Sequence, residues 1–453
     1  MTITSRLVEF VLKTSLADCP EPALVQIRRA TLDTVGCMLA GASAPVASIV
    51  REVARAENGL RLCTVVGTSL RTSPTWAALA NGAAGHAHDF DDTSFALLGH
   101  PSVPLLATAF ACGEAEMADG GIVALAYAIG FEIDAVLGSA LNPDHYTRGW
   151  HATSSIGTLG CAAAAARILG LDADQTRHAL GIAASLASGL KENFGSMTKP
   201  FHAGHAARGG VLAAQLARAG MTASESALEG RQGYAAAFSS AALPADVFDA
   251  LGQRWQLVTS GIAVKPYPSC ALTHSAIDAL VGLRERHGLT PAQVAAIEVG
   301  VHRVVPDVLR HDRPTSPLER KFSMPYCAAA AVAHGSVTLG DFGDGPADPA
   351  VDALIPRVTM VVDPSLPDTL ERQAWTRVTV TLADGRVLAA APTGASGHPD
   401  RPLSAEALRE KFLACASTAL SRDEAEGIAE QIDRLEEIPD IRVLTSRLVG
   451  VVE

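Results

Sequence analysis

The sequence predicts a mainly α fold: a large all-helical domain with a smaller α+β lid domain inserted ahead of its last helices. Three observations predict it. Apolar residues recur at helical spacing from the N-terminus until the character changes near Lys265, with no strand-type alternation of any length before residue 255. Alternating runs cluster only between residues 296 and 391. From Ser404 the pattern is helical again. The boundaries that follow are 1–261 with 395–453 for the helical domain and 262–394 for the lid.

Residues 4–13 read as an amphipathic helix, and Pro20 and Pro22 punctuate before a second helix over 23–41. Helical patterns continue at 45–56, 74–88, 103–117, 121–138, 155–169, 174–189, 201–219 and 223–229. Asp172 with Gln175 forms a capping-box start after the stop at Gly170. Pro266 and Pro268 forbid helix at the inferred domain junction. A helix over 271–287 follows, then Thr290-Pro291-Ala292-Gln293 supplies an N-cap, a first-turn Pro and a capping Gln. Strands are expected at 296–304, 356–362, 376–382 and 386–391, the last two joined by the hairpin signal Asp384-Gly385. A helix at 321–335 lies between them, and the final helices run from Ser404 to about 438.

Composition narrows the function. The chain has 453 residues, 48% of them apolar but only 5% aromatic, so the core is built from Ala, Leu, Val and Gly. A net charge of -12 argues against a nucleic-acid partner, which needs a basic face. An acidic substrate then needs a local cationic pocket. Only six of the 36 cationic residues are Lys, so Lys199-Pro200 and Lys265-Pro266 stand out. The eight cysteines form no C-x-x-C pair and read as buried thiols of a reducing compartment. No signal-peptide pattern and no uninterrupted apolar span is seen, so a cytoplasmic protein with no membrane partner is expected.

The densest chemistry lies in Gly85-His86-Ala87-His88-Asp89-Phe90-Asp91-Asp92-Thr93, followed by Gly99-His100-Pro101-Ser102. Burying so many imidazoles and carboxylates among apolar neighbours is costly unless they are paired or used. If the segment ends a helix, Gly85, Asp89 and Thr93 share one face. A metal reading would need a second acidic helix or ligands on strand ends, and neither is seen, so no metal is expected. Pro101 holds His100 ahead of a helix, placed for proton transfer. Arg148-Gly149-Trp150-His151 precedes another helix start, whose free N–H groups favour an anion. Pro200 at the first helical position would make Lys199 an N-cap, a poor one unless an anion binds there. His202 follows on the same helix. Lys265-Pro266-Tyr267-Pro268-Ser269-Cys270 holds a second Lys at the domain junction, with His274 on the next helix and Tyr326 facing from the lid.

Together these segments resemble the MmgE/PrpD family, in the same order and over nearly the whole chain. The matching pieces are Gly85 to Thr93, His100-Pro101-Ser102, Gly149-Trp150-His151, Thr198 to Gly204, Lys265 to Cys270, and Lys321-Phe322-Ser323-Met324-Pro325-Tyr326. The resemblance implies a helical domain with an α+β lid, homodimers, no required cofactor and a small polycarboxylate substrate. Family members dehydrate, decarboxylate or epimerise such acids. It also implies that Asp89, Thr93, His100, His151, Lys199, Lys265 and Tyr326 occupy active-site positions. The segment Ser94–Gly99 departs from the family, lacking both the Trp of decarboxylase-like members and the longer acidic, aromatic stretch of methylcitrate dehydratases. The lead-in Asn193-Phe194-Gly195-Ser196-Met197 is closer to the epimerase-like branch.

The expected chemistry is proton transfer beside a bound carboxylate. His100, His151, Asp89, Thr93 and Tyr326 are the catalytic candidates; Lys199, Lys265, Arg148, His202 and His274 are the binding candidates. A cofactor-independent lyase, a dehydratase or decarboxylase, is the first expectation. An epimerase of an amino- or imino-dicarboxylate such as iminodisuccinate is the alternative.

Overall fold

The computed structural model describes residues 2–240, 243–369, 372 and 374–450. The fold is mainly α with a small α+β unit. Apolar side chains from residues 7 to 264 form one core, and Leu408, Phe412, Ile428, Ile432 and Leu444 join it from the C-terminal helices. A second core runs from Cys270 to Leu382 and takes in Phe194 from the helical body.

The helical body is centred on Gly120–Leu141, Gly157–Ile168 and Thr198–Arg218. Gly120–Leu141 is long and apolar enough to cross a membrane, yet 89% of its most apolar window is buried inside the body. It also carries Glu132 and Asp134, both buried. The carboxylate of Glu132 accepts from the backbone N–H of Gln256 and Leu257, so its burial is compensated.

The lid sheet has four strands in the order Val358–Val362, Val294–Val301, Thr376–Leu382, Val387–Thr393. The first pair is parallel and the other two are antiparallel. Asp384-Gly385 turns the hairpin as expected, with Gly385 at φ +89°. Helices Ala271–His287 and Met324–His334 supply the other layer of the lid core.

Several local expectations are corrected. The helix expected over 74–88 stops at Gly85, because the chain tightens into short turns and Asp89 adopts φ +52°. Asp89 and Thr93 therefore share no helical face. Residues 223–229 form turns, in which the Ser224 hydroxyl takes the Ser226 N–H away from a helical ladder. The helix expected at 155–169 is broken at Ile156 into Ala152–Ser155 and Gly157–Ile168. Strands do occur before residue 255: Cys63–Thr64 pairs with Arg71–Thr72, too short to show alternation. Lys199 is the second residue of the helix Thr198–Arg218, and Met197 caps it.

One close helix crossing positions the site. Gly204, on the Lys199 helix, packs against Gly82 of the helix Pro74–Gly85. A Cβ on Gly204 would lie 2.2 Å from the Leu79 carbonyl oxygen, and one on Gly82 would lie 2.5 Å from the Gly204 Cα. Gly204→Ala is expected to cost about 2–3 kcal/mol by forcing these backbones apart. A lowered denaturant midpoint checks it, with a loss of activity as Lys199 withdraws.

Candidate active site

The turn from His86 to Thr93 builds the site around one carboxylate. Asp89 sits in the left-handed region, which Asp and Asn adopt more readily than other side chains. This aims Asp89 Oδ1 at two amines: Lys199 Nζ and Lys265 Nζ each donate to it at 2.9 Å. Lys265 also donates to the Asp89 carbonyl at 2.9 Å and to the Ser269 carbonyl at 3.1 Å. Paired backbone hydrogen bonds between Thr93 and Ala263 tie the turn to the strand leading into Lys265.

A second carboxylate orients two imidazoles. Asp91 accepts from His86 Nδ1 at 2.8 Å and lies 3.2 Å from His100 Nδ1. Lys199 Nζ donates to His86 Nε2 at 2.9 Å, which fixes His86 as the tautomer protonated on Nδ1. His100 Nε2 lies 3.4 Å from Asp89 Oδ1. His100 thus stands between two carboxylates that would stabilise it once protonated.

Burial governs the protonation states. Burial pushes the Asp89 carboxyl up, but Lys199 and Lys265, with His100 and His86, hold it well below the usual range. Burial likewise raises Asp91, and His86 and His100 outweigh it. Burial brings His86 down to about 4 against the pull of Asp91. His100 is lowered and His151 is lowered strongly, burial first and neighbouring cations second. Both are therefore neutral near pH 7 and able to accept a proton.

These groups open into a cavity of about 290 Å3 between the helical body and the lid. Asp89, Thr93, His100, His151, Lys199 and Lys265 all line it. Asp89 Oδ2 and Thr93 Oγ1 are buried with no hydrogen-bond partner among the described residues. Such orphaned atoms at a cavity wall are suited to a ligand.

The remaining candidates lie behind or outside the cavity wall. His202 Nδ1 meets His151 Nδ1 at 3.0 Å, one ring donating and the other accepting, so His202 orients His151. His274 Nε2 donates to the Ser269 carbonyl at 3.0 Å and braces the segment carrying Lys265. Arg148 is exposed and paired with Asp144 at 2.9 Å. The Tyr326 hydroxyl donates to the Asp341 carbonyl, turned away from the cavity.

Four contributors were not singled out from sequence. Asp91 bridges His86 and His100, and its spacing five residues after His86 was the available signal. Lys321, buried in the Lys-Phe-Ser motif, donates to the carbonyls of His88 and Pro268 at 2.9 and 2.8 Å, locking the lid onto the Asp89 turn. Phe194 and Phe322 flank Lys199, their ring centres 5.4 and 5.3 Å from Nζ.

His86, Asp89, Asp91 and His100 bring ligand-type atoms within 4.8 Å of one another. Two lysine amines already share Asp89 Oδ1, so a divalent cation there would face two like charges. The donor set fits an anion better than a metal.

Buried histidines also set the acid stability. Burial lowers His86, His88, His145 and His202 to about 4 and His274 to about 3, and lowers His100, His151 and His205 as well. The unfolded chain takes up these protons from about pH 6.5 downward while the folded one refuses them, so stability falls as pH drops below that value. Asp92 and Glu132, raised by burial to about 8 and 7, act oppositely, as do Asp33 and Asp134. The histidines outnumber them, so melting temperature is expected to fall steadily from pH 6.5 to 4.5, as thermal melts across that range would show.

Comparison with known proteins shows the family. Residues 5–245 match the MmgE/PrpD N-terminal domain and residues 267–437 match the MmgE/PrpD C-terminal domain. The chain belongs to the MmgE/PrpD family. Cis-aconitate decarboxylase from Mus musculus is 32% identical over 435 residues, covering 93% of this chain and 88% of that protein. The Homo sapiens cis-aconitate decarboxylase is also 32% identical, over 93% of this chain and 89% of its own length. A 2-methylcitrate dehydratase from Cupriavidus necator is 30% identical over 80% of this chain and 78% of its own.

Proposed function

We propose that this MmgE/PrpD protein is a cofactor-independent lyase acting on a small di- or tricarboxylate through proton transfer beside a carboxylate. The observation that carries the reading is the pairing of Lys199 and Lys265 on Asp89 Oδ1, with a neutral His100 at the same carboxylate. Two cations against one anion leave a positive charge for a substrate carboxylate.

A carboxylate held there acidifies its neighbouring C–H, because charge spreading onto the carboxylate oxygens meets Lys199 and Lys265 as it forms. His100 takes the proton, and Asp89 and Asp91 steady the resulting imidazolium. In a dehydration the C–O bond then breaks and the departing hydroxyl leaves as water with the returned proton. In a decarboxylation no C–H proton is removed first: the C–C bond breaks, carbon dioxide leaves, and the electron pair left on carbon takes a proton that His100, protonated from solvent beside Asp89 and Asp91, delivers. The relatives named as cis-aconitate decarboxylases and 2-methylcitrate dehydratase support these two outcomes.

An epimerase of an amino- or imino-dicarboxylate is the second reading. It is favoured by His100 and His151, which reach the cavity from separate elements and would serve opposite faces of one carbon. Proton NMR in D2O with citrate, aconitate, methylcitrate, tartrate and iminodisuccinate separates the two. The lyase reading expects new alkene protons or bicarbonate, at a rate unchanged by a chelator. Deuterium uptake with inversion and neither product would replace it with the epimerase.

A further inference from the structure

We infer that the substrate is an alkyl- or aryl-substituted dicarboxylate, carrying an apolar group of several carbons in place of a third carboxylate. The inference rests on the acid chemistry proposed above and narrows its substrate. It stands on what lines the cavity.

Beside the polar groups around Asp89, the cavity is lined by Phe95, Leu98, Pro143, Leu272, Val304 and Val308. The cations are as telling. Lys191, Lys199 and Lys265 face Asp89 and Asp307, so one net positive charge lines the cavity when its histidines are neutral. No arginine lines it among the described residues. Lys191 is already committed to Tyr146, donating to its carbonyl at 3.0 Å and lying 3.7 Å from its ring centre. A third carboxylate would therefore have only Lys191, already engaged by Tyr146 and offset by Asp307, and would lose its water beside hydrocarbon.

The backbone points the same way. Ser94 and Gly99 exchange backbone hydrogen bonds at 2.9 and 3.4 Å, closing the short loop that carries Phe95 and Leu98. Asn142 braces it through the Leu97 carbonyl at 2.8 Å. Leu98 is held at φ +53°, a conformation a leucine side chain disfavours. A strained, braced residue at a cavity wall marks a position where the side chain's placement matters.

Titration calorimetry tests the inference with a 2-alkylmalate series (methyl, isopropyl, benzyl) against citrate and cis-aconitate, with turnover of each followed by NMR. The expected result is a Kd at least tenfold lower for the isopropyl or benzyl acid than for the methyl acid and for both tricarboxylates, since one methylene in an apolar pocket is worth roughly tenfold or more. Leu98→Asn keeps a side chain that tolerates the left-handed backbone and removes the apolar wall. It is expected to raise the Kd of the isopropyl and benzyl acids to that of the methyl acid. A flat series, or tightest binding of a tricarboxylate, overturns the inference, and does so without harm to the lyase reading if any of these acids is turned over. Tight binding of the alkyl acids with no turnover or deuterium exchange in any acid sinks the lyase reading and leaves the ligand class standing. Binding by none of them overturns both.

Discussion

Asp89→Asn is expected to lower kcat/KM by at least about a thousandfold and to cost about 3–5 kcal/mol of stability. The carboxylate is the common acceptor of Lys199 and Lys265, all three groups being almost fully buried. Removing its charge leaves two amines close together without a counterion. Breaking a buried ion pair by deleting one partner is far more damaging than deleting both. Asn tolerates the φ of +52° as well as Asp does, so the loss reports charge and not backbone strain. The matching prediction is that Lys265→Met in the same chain recovers part of the stability but none of the activity. Denaturant unfolding and steady-state kinetics read both, and a stability change within 1 kcal/mol for Asp89→Asn would contradict the arrangement.

His100→Gln is the second large effect. Loss of a positioned general base typically costs about 10²–10⁴ in kcat. Burial lowers His100 below the ordinary histidine range, and Lys265 and Lys199 add to that, while Asp91 opposes. The ring is thus the neutral, proton-accepting form at pH 7. As pH falls through its lowered value the base is protonated and the rate drops, giving an acid limb below about pH 6.5. In His100→Gln that limb is expected to vanish along with most of the rate, while the fold survives. A variant with normal kcat and an unchanged pH profile would remove His100 from the proton path.

How much of this was legible depends on the kind of signal. Lys199 and Lys265 stood out because Lys is rare in this chain and each precedes a Pro. Their convergence on Asp89, across 110 and 176 positions, comes from tertiary packing that no local pattern shows. The helix before the site was extended three residues too far because His86, Ala87 and His88 carry no breaker. What ends it is the demand of Asp91 and Lys199 for the His86 ring. Asp91 is one acid among several in the Gly85–Thr93 segment, yet it is the residue that faces two imidazoles. Arg148 and Tyr326 lay in the right motifs, yet each is satisfied by a nearby acceptor, Asp144 and the Asp341 carbonyl, outside the cavity. The hairpin at Asp384-Gly385 and the helix Ala271–His287 were legible because turn chemistry and periodicity act locally.

The central claim is that a proton moves through His100 beside a carboxylate held by Lys199 and Lys265. Deuterium wash-in from D2O, followed by proton NMR of the product and the recovered acid, tests it most directly. The wild-type protein is expected to place deuterium on the carbon next to the carboxylate, and His100→Gln to do so at least about a hundredfold more slowly. A decarboxylation or epimerisation product formed by the wild-type protein with no deuterium on carbon, or equal wash-in by His100→Gln, would contradict it.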